Sequence, residues 1–123
     1  MKLKLLLATT LFAFSALSNA QSIKIEMMQM NMNANKLVRA NSAEEFQQAA
    51  KNFVEITEKT KAIFPNSVEG DKAAEEDYQA GIQKLIDVVK EADKKAQAGD
   101  LQEAKIMISE LEVLKREYHK KYK

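Results

Sequence analysis

The sequence predicts an all-α protein: an antiparallel up-down-up-down four-helix bundle that follows an N-terminal signal peptide. Three observations support this fold class. Apolar residues recur at intervals of three and four along charged stretches, which places them on one face of a helix. No segment alternates apolar and polar residues convincingly, as a half-buried strand would. Residues that interrupt helices are scarce, since the chain has three glycines and one proline.

Residues 1–20 have the organisation of a secretory signal peptide. Lysines near the start are followed by an apolar stretch from Leu5 to about Leu17, and a small residue, Ala20, precedes the expected cleavage site. The apolar stretch is too short to cross a bilayer comfortably. We therefore expect a periplasmic mature domain, residues 21–123, with no membrane insertion once the signal has been removed.

Charge and composition exclude several classes of function. Removal of Lys2 and Lys4 with the signal changes the formal charge from +1 to −1, because no acidic residue is lost with them. Nothing in that balance indicates nucleic acid or an anionic membrane as a partner. The absence of cysteine excludes thiolate metal sites and a covalently attached c-type haem. A chain of this size makes one small domain, which we expect to be a monomer.

Helix 1 is predicted from about Ser22 to Ala40, and helix 2 from Ser42 to just before Pro65. Ser42 and Glu45 form a capping box at the start of helix 2. The residue before a proline avoids the helical conformation, which ends that helix. The predicted core stripes are Ile23, Met27, Met30, Ala34 and Leu37 in helix 1, and Phe46, Ala49, Phe53, Ile56, Thr60 and Ile63 in helix 2.

Helix 3 is predicted to follow a loop at residues 66–70 and to end at Gly99, and helix 4 starts with Asp100 as its cap. The acidic residues 75–77 suit the first turns of helix 3, and glycine suits the left-handed position just past a helix end. Glu103 lies three residues after Asp100 and completes a second capping pattern. The predicted stripes are Tyr78, Ile82, Leu85, Val89, Ala92 and Ala96 in helix 3, and Leu101, Ala104, Ile108, Leu111, Lys115, Tyr118 and Tyr122 in helix 4.

The predicted topology brings the only histidine close to a methionine. Short connections make neighbouring helices antiparallel, so the start of the first helix and the end of the last lie at the same end of the bundle. Met27 is about five residues, or roughly 7 Å, into helix 1, and His119 is about four residues, or roughly 6 Å, from the chain end. A thioether and an imidazole at one level on adjacent helices are a familiar pair of axial ligands for haem iron.

The histidine and the methionines of helix 1 also have simpler explanations than iron ligation. A lone histidine near a basic helix end complements the helix dipole. Met30 shares the stripe of Met27 but lies about 4.5 Å deeper, where core packing is the better interpretation. Met28 and Met32 point away from the stripe. The methionine cluster as a whole leaves copper(I) as a minor alternative, because thioethers suit that ion.

The end of the chain carries a more specific signal. Residues 118–123 read YHKKYK, which resembles the aromatic-His-x-x-aromatic-basic ending of the soluble cytochrome b562 family of periplasmic four-helix haem proteins. The resemblance continues back through Gly99 and Gly81 to Tyr78. It also extends across helix 1, where Met27 falls on the family's methionine ligand. It covers essentially the whole mature chain.

The resemblance implies one non-covalently bound haem b per chain, with iron between Met27 and His119. It also implies one-electron transfer with periplasmic redox partners that the sequence does not identify. Two protein ligands would fill both axial positions and leave no open site, which argues against an enzyme. A haem enzyme acting peroxidatively would need one of these ligands to dissociate.

The sequence departs from the family pattern at several positions around the expected haem. The family arginine that lies against the haem is Lys115 here, and the terminal arginine is Lys123. Both are expected to pair with haem propionates, but without the planar fork of a guanidinium. The two aromatic pocket positions of helix 3 are Tyr78 and Ile82. These departures keep open an alternative: an exported helical bundle without haem, acting as a binding or envelope-stress protein.

Overall fold

The structure, a computed structural model, describes residues 19–65 and 67–121, with the side chains of residues 19–23, 118 and 119 excepted. Within these residues it has four α-helices: α1 (Asn19–Arg39), α2 (Ala43–Lys61), α3 (Lys72–Gln97) and α4 (Leu101–Lys121). α2 packs against both α1 and α3, and α3 packs against α4. By contrast, α1 and α4 contact each other only sparsely. The expected four-helix bundle is confirmed.

The connections determine the direction of each helix. Only residues 40–42 separate α1 from α2, and only residues 98–100 separate α3 from α4, so the helices of each pair must be antiparallel. The longer connection, residues 62–71, joins α2 to α3 at the opposite end of the bundle. α1 begins at Asn19 rather than near Ser22, so the prediction placed its start about one turn too late. Residues 1–18, most of the expected signal peptide, lie outside the described residues.

Two of the predicted helix caps are present. The Ser42 hydroxyl accepts a hydrogen bond from the Glu45 N–H at 3.1 Å, and the Glu45 carboxylate accepts one from the Asn41 N–H at 2.8 Å. At the start of α4, the Asp100 carboxylate accepts from the Glu103 N–H at 3.0 Å. The Glu45 and Glu103 N–H groups are ones that the first turn of a helix leaves without a partner, and the Asn41 N–H lies just before the cap of α2.

The ends of α3 follow the same chemistry, with one cap that the sequence analysis missed. Gly99 has a φ of 97°, the left-handed conformation expected of it. The start is capped by Asp71, whose carboxylate accepts from the Ala74 N–H at 3.2 Å. Glu75 adds a reciprocal contact, because its carboxylate accepts from the Gly70 N–H at 3.0 Å. The sequence analysis inferred the start of this helix from the acidic residues 75–77 alone, and the cap, Asp71, lies before them.

α2 ends at Lys61, so the prediction that Ile63 belongs to this helix is wrong. The Ile63 N–H donates to the Thr60 carbonyl, three residues back, at 3.0 Å, which tightens the chain into a turn ahead of Pro65. The Gln79 side chain from α3 donates to the Lys61 carbonyl at 3.1 Å. That contact satisfies a carbonyl that the end of the helix leaves open.

Most of the predicted core positions are buried, but two stripes shift by one residue. In α2, Thr57 is completely buried and Ile56 only half-buried; in α3, Ile86 is completely buried and Leu85 half-buried. A bundle helix buries a face more than 100° wide against two neighbours, so the residue beside a narrow stripe is also covered. Thr57 tolerates this burial because its hydroxyl donates to the Phe53 carbonyl at 2.6 Å.

The core falls into a large cluster and a small one. The large cluster includes Leu37, Ala40, Phe46 and Ala96 and fills the end of the bundle that has the two short connections. The small cluster lies toward the other end and consists of Val68, Tyr78, Ile82 and Ile86.

None of the four helices in the described part of the chain combines the length and the apolar character that a membrane span requires.

Candidate functional site

A cavity of about 380 Å³ lies in the half of the bundle that has the long connection. Its wall is mostly apolar, and it is built chiefly by α1, α3 and α4. Mostly apolar clefts of this size, with a few polar groups, are typical of small-molecule and cofactor sites. Central parts of the wall are Met27 and Ala34 from α1, Ile82 from α3, and Leu111 and Leu114 from α4.

The cavity exists because small residues occupy core positions where α1 and α4 are not in close contact. Ala34 contributes a single methyl group to the wall, and Gly81, buried in the middle of α3, contributes no side chain. Glycine inside a helix costs roughly 0.5 to 1 kcal/mol relative to alanine. Gly81 therefore lowers the stability of α3 at a position where the missing side chain leaves space in the cavity.

Four of the residues predicted for the site lie together around this cavity. Met27 and Lys115 are half-buried, and Tyr78 and Ile82 are 6% and 5% exposed. All four line the cavity, and they come from three different helices. The topology therefore collects residues that are up to 88 positions apart in the sequence, from 27 to 115.

The remaining predicted residues fall at the limit of the described structure. Position 119 lies within α4, one helical turn beyond Lys115, but the side chain of His119 is outside the described residues. Lys123 lies outside them altogether, as do the side chains of Tyr118 and Tyr122. The pairing of His119 with Met27 therefore stays a prediction.

The four methionines of α1 occupy clearly different environments. Met27 is half-buried at the cavity wall and packs against both core clusters. Met30 also reaches the cavity, but it is 6% exposed, and the Thr60 hydroxyl donates to its sulfur at 3.6 Å. Met28 and Met32 are 57% and 53% exposed, facing away from the core as expected. Met27 is thus the more accessible of the two methionines that line the cavity.

Tyr78 brings a polar atom into an apolar environment. Its ring packs edge-on against Phe64, with the ring centroids 6.0 Å apart. Its hydroxyl is buried and has no hydrogen-bond partner among the described residues. Burial raises the pKa of Tyr78 from 10.0 to about 12, because the apolar surroundings disfavour the phenolate. The hydroxyl is therefore neutral at physiological pH.

The rim of the cavity is charged. The Lys115 ammonium of α4 donates a hydrogen bond to the Asn31 side-chain carbonyl of α1 at 2.7 Å. Lys24 and Glu112 complete this part of the rim, so it carries two cations and one anion. Cations at the mouth of an apolar cavity suit a ligand that has an apolar body and carboxylate groups.

A haem fits this combination of residues. Among the described residues, no group of three His, Cys, Asp or Glu side chains is arranged to hold a metal ion. The cavity wall instead offers the thioether of Met27, a recognised axial ligand of haem iron. The apolar walls match the porphyrin ring, and the rim lysines match its two carboxylates.

Comparison with known proteins identifies the family of this chain. A model of the cytochrome b562 family matches residues 22–123. The chain belongs to the cytochrome b562 family. An uncharacterised protein of Pasteurella multocida (strain Pm70) is 38% identical over 123 residues, covering 99% of this chain and 98% of that protein. The family resemblance inferred from helix 1 and from the chain end is confirmed.

For this member of the cytochrome b562 family, sequence reasoning missed several residues of the site, among them Asn31 and Gly81. Asn31 belongs to the polar run that surrounds the methionines, and nothing in its composition distinguishes it from a solvent-exposed residue. Its only signal is its spacing, because it lies four residues, one helical turn, after Met27. Gly81 carried the stronger signal, as a glycine in the interior of a helix.

Proposed function

We propose that the protein is a periplasmic electron carrier that binds one haem b non-covalently, with Met27 and His119 as the axial ligands. One observation carries the proposal. Met27 lines an apolar cavity whose α4 wall reaches Lys115, one turn before His119. Membership of the cytochrome b562 family supports the same cofactor.

Each part of the site has a role in this proposal. Tyr78, Ile82 and the backbone at Gly81 form an apolar wall that excludes water from the ring. Lys115 and Lys123 supply cations for the propionates. His119 has to present a neutral imidazole, since a protonated ring has no lone pair for a metal. The haem, when bound, supplies a one-electron couple whose potential a methionine and histidine pair raises.

The same arrangement argues against a catalytic role. If Met27 and His119 fill both axial positions, no coordination site stays open for a substrate.

We also propose that the chain is exported, because residues 1–20 have the organisation of a signal peptide. N-terminal sequencing of the protein from the periplasmic fraction should give a mature chain that begins at Gln21.

The absorption spectrum of the protein purified from haem-replete cells tests the cofactor. Sharp bands of a six-coordinate low-spin haem after reduction, with one haem per chain, are the expected result. A high-spin spectrum would indicate an open axial position and contradict the ligand pair. A protein without visible absorption that also fails to take up added haem would contradict the proposal and leave a haem-free bundle.

Three substitutions test the ligands. Met27→Ala and His119→Ala should each abolish the low-spin spectrum, because each removes one axial ligand. Met30→Ala is the matched control, since it removes a neighbouring thioether that we assign to packing. It should lower the free energy of unfolding by about 2 to 5 kcal/mol and leave the low-spin spectrum intact. Loss of that spectrum in Met30→Ala alone would transfer the ligand role to Met30.

A further inference from the structure

A hydrogen bond joins α1 directly to α4 at the cavity rim. The Lys115 ammonium donates to the Asn31 side-chain oxygen at 2.7 Å, and both residues line the cavity. α1 and α4 are also the neighbouring helices that contact each other least. The bond therefore spans the pair of helices that packing holds together most weakly.

The position of this bond relative to the proposed ligands is symmetrical. Asn31 follows Met27 by four residues on α1, and Lys115 precedes His119 by four residues on α4. Four residues make about one helical turn, or about 6 Å along the axis. Because the two helices are antiparallel, both displacements run away from the chain ends and toward the middle of the bundle. The bond thus lies one turn deeper than both proposed ligands.

We infer that Asn31 and Lys115 are positioning residues that fix the separation of the two ligand-bearing helices. This inference rests on the proposed function. If Met27 and His119 hold the same cofactor from two different helices, those helices would need one particular separation. Elsewhere in the bundle packed side chains set the distance between helices, whereas here a cavity takes their place. A charge-assisted hydrogen bond beside the cavity supplies the missing constraint.

The first test measures haem dissociation from the reduced protein into an excess of a haem-scavenging apoprotein. Asn31→Ala should raise the dissociation rate about fivefold, as expected for the loss of one typical hydrogen bond at an exposed position. Lys115→Met should raise the rate at least as much, because it also removes a cation that we assign to the propionates. The double variant should dissociate no faster than Lys115→Met, because both substitutions remove the same bond. Asn31→Asp should restore the slow rate, since a carboxylate also accepts from the ammonium.

A matched control lies on the other side of the bundle. The Lys61 ammonium of α2 donates to the Gln83 side-chain oxygen of α3, also at 2.7 Å. Gln83→Ala thus removes the same type of bond between two other helices, and the haem dissociation rate should stay unchanged. Equal acceleration by Gln83→Ala and Asn31→Ala would overturn the inference, and so would additive effects in the double variant.

A second test needs no haem. The chain has no cysteine, so Met28→Cys and Val113→Cys can carry spin labels on exposed positions of α1 and α4. In the haem-free protein, Asn31→Ala should broaden the distribution of label distances, and Gln83→Ala should not. If the protein never binds haem but the distribution broadens as described, the proposed function fails and the constraint on the helices stands. An unchanged distribution overturns the inference, whether haem binds or not.

Discussion

Tyr78 places a polar hydroxyl in apolar surroundings. Its ring contributes apolar area to the wall of the cavity and contacts Phe64 edge-on, as either phenylalanine or tyrosine would. Its hydroxyl, in contrast, is buried and has no hydrogen-bond partner among the described residues. A buried polar group in that state costs about 1 to 3 kcal/mol. The residue therefore weakens the haem-free fold at the place where the site is built.

Tyr78→Phe should stabilise the haem-free protein. The substitution removes the unpaired hydroxyl and keeps the ring, so the free energy of unfolding should rise by about 1 kcal/mol. Urea unfolding followed by circular dichroism measures the change. A loss of stability would show that the hydroxyl has a partner beyond the described residues, and the interpretation of Tyr78 as a polar mismatch would be wrong.

The same variant should flatten the alkaline end of the stability curve. The pKa of Tyr78 is raised from 10.0 to about 12 in the folded state, so between these values the folded chain holds a proton that the unfolded chain has released. Stability therefore decreases as the pH rises through this window. The difference in unfolding free energy between the wild type and Tyr78→Phe should widen from pH 10 to pH 12. A constant difference would contradict the raised pKa.

Single residues of the site were predictable only where a specific pattern existed. Met27, Tyr78, Ile82 and Lys115 came from the resemblance, and the structure gathers them around one cavity. Asn31 had no such pattern, because its importance arises from a contact with a residue 84 positions away. Contacts of that kind depend on the packing angle of two helices, which helical periodicity does not define.

At the scale of the helices, the ends beside the two short connections were predicted better than the connection between α2 and α3. Ser42, Asp100 and Gly99 act locally, so the sequence alone reveals them. Val68 lies in a stretch of polar residues that predicts an exposed loop, yet it is completely buried in the small core cluster. One apolar residue in a loop gives no periodic signal, and only the tertiary fold decides whether it is covered.

Gly81 in α3 offers a prediction that separates helix stability from cofactor binding. Gly81→Ala should raise the free energy of unfolding of the haem-free protein by about 1 kcal/mol, because alanine favours the helix. The added methyl group should narrow the cavity and weaken haem binding, which a haem titration measures. Ala80→Gly is the matched control, since Ala80 is exposed on the same helix. It should destabilise the helix similarly and leave haem affinity unchanged.

An unchanged haem affinity in Gly81→Ala would contradict the role of this glycine as a source of space. A loss of stability in the haem-free protein would mean that the new methyl group meets a neighbouring side chain. The comparison with Ala80→Gly distinguishes the two effects, because only one of the two positions lies at the cavity.

At the scale of the whole molecule, haem binding should stabilise the fold by mass action. A ligand at a hundred times its dissociation constant adds about 2.7 kcal/mol to the stability of a protein that binds it only when folded. For a domain of this size, that free energy raises the unfolding temperature by roughly 10 to 20 °C. Differential scanning calorimetry with and without haem measures the shift. Met27→Ala at the same haem concentration should show a much smaller one.

The general architecture was predictable because it depends on averages along each helix. The spacing of apolar residues predicted the four helices, and the two short connections predicted their arrangement. Ser42, Gly99 and Asp100 marked helix ends. The cavity was not predictable in the same way, since empty space results from the sizes of side chains on three helices together. The sequence indicated which residues would meet, and the structure adds the volume of about 380 Å³ between them.

The unequal contacts between the helices have a consequence for the life of the protein. Of the four pairs of neighbouring helices, three pack closely, and these three contacts hold the bundle together. The fourth pair, α1 and α4, makes the fewest contacts, so separating these two helices would disturb the bundle least. If the protein binds haem as proposed, we expect the cofactor to enter and leave between α1 and α4 while the other three helix pairs stay packed.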